Sequence, residues 1–171
     1  MSQKIENDEI QTLDRLIEGF ETAMLTTESL IGQLRARPMM IADHLDGGAL
    51  VFVTRAEDEK LEEVLHKNQV AVTMQSNGQY LSISGTARLE TDRVKLDELW
   101  SPSWKIWFPE GQNDPECCLI RVEPTIAEYW DRTGANRLEF LWEAGKALLR
   151  GGKAHDEALA GHGKVKLGKT G

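Results

Sequence analysis

The sequence predicts a single α+β domain built around an antiparallel β-barrel, and three observations carry that reading. Short apolar or β-branched runs recur at 23–27, 37–42, 50–54, 70–74 and 80–89, with two more at 118–122 and 126–130. Turn signals separate them, notably Asp46-Gly47-Gly48 and Asn77-Gly78, and the second is a strong two-residue hairpin motif. Helical periodicity is confined to the two ends of the chain and to short stretches between strands.

Each element has its own signature. Asp8 is a plausible N-cap for a first helix, in which Ile10, Leu13, Leu16, Ile17 and Phe20 make one apolar stripe. A helix over 57–67 is expected to turn Leu61, Val64 and Leu65 inward. In the strand after Asn77-Gly78, Leu81 and Ile83 alternate with Ser82 and Ser84, as a half-buried strand requires. Thr91 is placed to cap a short helix from 92 to about 100. A loop rich in proline and tryptophan follows, then the two closing strands, and a helix is expected over 137–149. Residues 1–150 read as one domain and 151–171, rich in Gly, Lys and His, as a loosely ordered tail.

Composition narrows the function classes. At 171 residues the chain can bury a core without disulfides. No apolar run approaches the ~20 residues of a membrane helix, and the polar start MSQKIENDEI lacks the pattern of a secretory signal. The expected location is the cytoplasm. A net charge of −8 argues against a nucleic-acid partner, which needs clustered cations. The adjacent Cys117 and Cys118 project to opposite faces of a strand, which disfavours a disulfide between them and fits a reducing compartment. The four histidines show no ligand spacing, so no metal site is expected, and no phosphate-binding loop or nucleophile elbow is present.

Few residues stand out chemically. Arg37 begins a strand; it suits either a surface ion pair or a bidentate grip on phosphate. Lys60, set among acids in EDEKLEE, reads either as a solvated helix ion pair or as a second anion ligand. Thr54 closes a strand, where its hydroxyl can cap a turn or donate to an anion. Trp104 and Trp107 stand in the proline-rich loop and suit a planar ligand, a subunit interface, or anchorage of the loop to the barrel.

Taken in order, the stretches MLTT at 24–27, RPM at 37–39, VFVT with Lys60 beyond it, SISG at 82–85, WKIWFPEG at 104–111 and EYWD at 128–131 resemble the pyridoxamine 5'-phosphate oxidase-like flavoproteins. Within that group they are most similar to the general stress protein 26 family, over about 22–142. The resemblance implies a six- to seven-stranded antiparallel split β-barrel with flanking helices. It also implies a homodimer with FMN, or another flavin, at the subunit interface. Arg37 and Lys60 would then hold the flavin phosphate, and Thr54 would add a contact. Pro38, Met39 and Val53 would pass beside the flavin, with Trp104 and Trp107 near it.

The departures from the oxidase pattern bear on substrate. Asp58 and Glu59 replace the Ser-Arg that precedes the lysine in true oxidases; Ala42 and Tyr80 replace a cation and a glutamine. Glu139 and Leu141 stand where the oxidase ending has histidine and arginine. The resemblance therefore implies an FMN-binding stress protein, an oxidoreductase of unknown substrate, rather than a vitamin B6 oxidase. The alternative is a non-catalytic dimeric module that binds flavin weakly or serves as a scaffold.

Overall fold

The computed structural model describes residues 2–133 and 162–167. Strands β1 (Thr22–Glu28), β2 (Leu34–Leu45), β3 (Ala49–Arg55), β4 (Gln69–Ser76), β5 (Gln79–Glu90) and β6 (Cys117–Asp131) close into an antiparallel barrel. Closure comes from β3 pairing with the first half of β6, from Leu50↔Val122 to Arg55↔Cys117. Helices α1 (Ser2–Ile17), α2 (Glu59–His66) and α3 (Arg93–Leu99) flank it. The predicted α+β split-barrel architecture is the one observed. No helix among the described residues is long and apolar enough to cross a membrane.

Strand alternation sorts side chains into two cores. On β3, Leu50 and Phe52 point into the barrel with Leu25, Val72, Ile83 and Ile120, whereas Val51 and Val53 pack outside it with Leu96, Trp104, Phe108 and Leu119. Both faces of β3 are thus covered, and its run from Ala49 to Thr54 is buried throughout. Cys117 and Cys118 follow the same rule, one in each cluster. Both are free thiols, and burial pushes each up to about 11, so they stay protonated at neutral pH.

Several expectations are corrected. The first helix starts at Ser2, so Asp8 lies within it and its carbonyl accepts the Thr12 hydroxyl at 2.9 Å. No glycine or proline precedes Asp8 to stop the helix from extending. Asp92, not Thr91, caps α3, accepting the amides of Val94 and Lys95. On α2 the buried arc holds Lys60, Leu61, Glu63 and Val64, leaving Leu65 68% exposed. The two closing strands are one, β6, whose irregularity is confined to a bulge: Ser84 pairs with Ile126 and Gly85 with Pro124, so Thr125 is the extra residue.

Part of the expected tail is ordered structure. His162–Lys166 forms β7, which pairs with Ile126–Trp130 of β6. β3 ends its pairing at Val122, so the second half of β6 would otherwise present an open edge of unpaired amides. Val165 is buried there, and the His162 ring stacks on Trp130 at 5.2 Å. The predicted helix over 137–149 lies outside the described residues.

Local turn chemistry matches the sequence reading. Asn77 and Gly78 both take positive φ, 42° and 88°, and join β4 to β5 as a tight hairpin. Gly47 and Gly48 also sit at positive φ, and their amides donate to the Asp14 carboxylate at 3.2 and 2.9 Å. One carboxylate on α1 therefore fastens the helix to the β2–β3 turn. Asp14→Ala should lower the unfolding free energy by about 1.5–3 kcal/mol, the usual range for hydrogen bonds to a charged group, as read by urea denaturation.

Candidate functional site

The connection from β3 to α2 aims a cation at a cavity. Asp58 has extended backbone (φ −77°, ψ 133°) and caps α2, its carboxylate accepting the Lys60 amide at 3.2 Å. Lys60 lies on the inward arc of the helix and is only 7% exposed. Its ammonium ion-pairs with the same Asp58 carboxylate. Burial alone would push Asp58 up, but the Lys60 hydrogen bonds, with a smaller contribution from the Arg37 charge, hold it below the ordinary carboxylate value.

The cavity, about 410 Å³, lies where β2 and β3 meet the loop after α3. Met39, Met40, Val53 and Phe108 form an apolar wall, and Trp107 contributes a half-exposed indole. Pro38 and Thr22 line it from the neighbouring strands. Thr54, Arg55, Asp58 and Lys60 make its polar end, with the exposed Arg55 guanidinium donating to the Trp107 carbonyl at 3.2 Å. The Thr54 hydroxyl is buried and has no hydrogen-bond partner among the described residues, an uncommon state for a buried polar atom. The apolar slot thus ends at an unspent hydroxyl, a desolvated ammonium and an exposed guanidinium. That arrangement suits a flat organic molecule with a polar or anionic tail.

A second polar cluster adjoins it beneath α2. Arg37 is not among the residues lining the cavity. Its guanidinium donates to the Thr27 hydroxyl at 2.8 Å and to the Glu63 carboxylate, with contacts at 2.9 and 3.1 Å. Thr27 donates in turn to Glu63, and Arg35 reaches both Glu63, at 3.1 Å, and Glu59, at 2.6 Å. Glu63 is 3% exposed. Burial would push it up, yet the hydrogen bonds from Arg37, Thr27 and Arg35 outweigh that and bring it down to about 2.

The structure therefore gathers Pro38, Met39, Val53, Thr54, Lys60 and Trp107 around one cavity and separates two expected residues from it. Arg37 is held by a carboxylate of α2. Trp104 is 2% exposed in the outer core, edge-on to Trp100 at 5.6 Å, so its work is to anchor the loop. Glu63, Arg35, Met40, Arg55 and Phe108 escaped the sequence reading. Only Glu63 left a usable signal, since it falls three residues after Lys60 on the same helical face.

Comparison with known proteins places this geometry in context. The family model described as "Pyridoxamine 5'-phosphate oxidase like" matches residues 8–156. Protein bli-3 of Neurospora crassa is 29% identical over 135 residues, covering 72% of this chain and 65% of that protein. Among solved structures, a candidate general stress protein 26 from Jannaschia sp. CCS1 superposes with a TM-score of 0.69 at 28% identity, over 94% of this chain and 99% of that one. The general stress FMN/FAD binding protein of Xanthomonas citri gives a TM-score of 0.65 at 26% identity, over 75% of this chain and 92% of that one.

Proposed function

The chain belongs to the pyridoxamine 5'-phosphate oxidase-like family, and from that premise we propose that it binds a flavin in the cavity between β2, β3 and Trp107 and acts as a general-stress-type oxidoreductase. The observation that carries the reading is the junction of an apolar slot with a buried Lys60 and a Thr54 hydroxyl that has no partner among the described residues. The Xanthomonas citri relative, by its description, binds FMN/FAD.

In this reading Met39, Met40 and Val53 pack against the ring, and Trp107 covers it. Thr54 donates to the flavin tail, and Lys60 faces its phosphate when FMN is the ligand. A bound flavin supplies the hydride and electron transfer; the protein positions it and shields it from water. Trp107 is 44% exposed at the cavity rim, which supports a homodimer whose second copy covers the flavin. The cytoplasm remains the proposed location, and pyridoxamine 5'-phosphate is not expected as a substrate.

The titration of purified protein with FMN, FAD and riboflavin, followed by flavin fluorescence, tests the reading. Saturable binding at micromolar or lower concentration is expected, and no binding of any of the three would end it. Trp107→Ala should weaken FMN and riboflavin alike by about tenfold, since the indole meets the shared ring. Equal binding by variant and parent would remove Trp107 from the site.

A second reading, a flavin-binding module without turnover, is favoured by the full pairing of Lys60 with Asp58 and of Arg37 with Glu63. Bound flavin that no nicotinamide nucleotide reduces, and that oxygen does not reoxidise, would support it over the first.

A further inference from the structure

Resting on the flavin reading, we propose that Asp58 is a built-in counter-anion that makes the cavity select the flavin ring and discount its phosphate. Asp58 lines the same cavity as Lys60 and Thr54, and its carboxylate is bonded to the Lys60 ammonium that a ligand phosphate would need. The pairing is enforced by the backbone: the N-cap role places the Asp58 side chain over the first turn of α2, where Lys60 follows two residues later. Arg37 offers no substitute, because Glu63 and Thr27 already engage it. Around the polar end, the cations Arg35, Arg37 and Lys60 are paired with the carboxylates Asp58, Glu59 and Glu63, and the exposed Arg55, which also lines the cavity, donates to the Trp107 carbonyl at 3.2 Å. A dianion approaching Lys60 must displace a carboxylate from a desolvated ammonium, a cost that the solvated Arg55 guanidinium offsets little.

The consequence is a ligand class. Wild-type protein takes planar ring systems with an uncharged polyol or otherwise neutral tail about as well as their phosphate esters. Asp58 is the specificity-determining residue, and Glu59 is not, because it is turned outward to Arg35 with its side chain 71% exposed.

Asp58→Asn keeps the side-chain oxygen that caps α2 and removes the charge. Riboflavin and FMN are titrated into wild type, Asp58→Asn and Glu59→Gln under the same buffer. The expected result is wild-type affinities within about threefold of each other, and FMN binding strengthened about tenfold in Asp58→Asn with riboflavin unchanged, a gain in line with freeing a charge-assisted contact. Glu59→Gln should behave as wild type. A wild-type preference for FMN above about tenfold, or an unchanged ratio in Asp58→Asn, overturns the proposal.

Inorganic phosphate provides a readout that does not depend on flavin binding. At matched ionic strength, phosphate in place of chloride should raise the melting temperature of Asp58→Asn and not of wild type. If no flavin binds either protein, the flavin reading fails while this comparison still decides the role of Asp58; equal shifts in the two proteins count against it.

Discussion

Glu63→Ala should lower the unfolding free energy by about 2–4 kcal/mol, because it leaves two guanidinium groups and a buried threonine hydroxyl without their common acceptor. The estimate sits below the largest losses seen for broken buried pairs, since Arg35 and Arg37 are themselves partly exposed and regain some hydration. Urea denaturation at neutral pH measures it. The pH dependence gives a second check with a definite sign. Glu63 is depressed from its ordinary 4.5 to about 2 in the folded state, so its contribution is fully present above about pH 4.5 and is lost as pH falls toward 2. A shift of that size corresponds to stability on the order of 3 kcal/mol. Glu63→Gln should therefore show a shallower loss of stability between pH 4.5 and 2 than wild type. Parallel acid profiles would show that Glu63 is not the linked group.

Arg37→Glu would set a second carboxylate against the buried Glu63, so loss of ligand binding in that variant would report on folding before it reported on phosphate.

Gly85→Ala is expected to destabilise by about 3 kcal/mol, toward the upper end for overpacking, because the added methyl meets main chain and not a movable side chain. A Cβ at Gly85 would stand 2.3 Å from the Glu123 carbonyl oxygen and 3.1 Å from the Pro124 Cα. The close approach belongs to the bulge. Thr125, left unpaired, donates its hydroxyl to the Ser84 carbonyl at 3.0 Å, and its own carbonyl accepts the Leu167 amide at 2.8 Å. Loosening the bulge should therefore also loosen the end of β7. Thermal denaturation checks the stability, and amide hydrogen exchange at 163–167 checks the second effect; unchanged exchange would mean that β7 docks independently of the bulge.

Much of the barrel was legible because strand and turn signals are local. Asn77-Gly78 specifies its hairpin through the positive φ that both positions must adopt, and period-two alternation around Leu81 and Ile83 predicts which face is buried. The resemblance carried by RPM, VFVT and WKIWFPEG led to β2, β3 and the loop that surround the cavity. Helix limits were less legible: Asp8 has the chemistry of a cap, but nothing ahead of it breaks the helix. β7 left almost no signal, because a strand of His, Gly, Lys and one Val gains its stability from the open edge of β6.

Residue types and their spacing were enough to order the elements and to suggest a barrel, since these features rest on dihedral preference and on side-chain period; Arg37, Lys60 and Thr54 stood out through the family resemblance. Pairing of charges was not available at that level. Glu63 meets Thr27, Arg35 and Arg37 only because α2 packs against β1 within reach of the β2 arginines, and Asp58 rather than Glu59 faces Lys60 only because the helix begins where it does. Coulomb energy depends on distance and burial, and packing creates both. The same residues that suggested a phosphate grip are, once folded, already neutralised by their own neighbours.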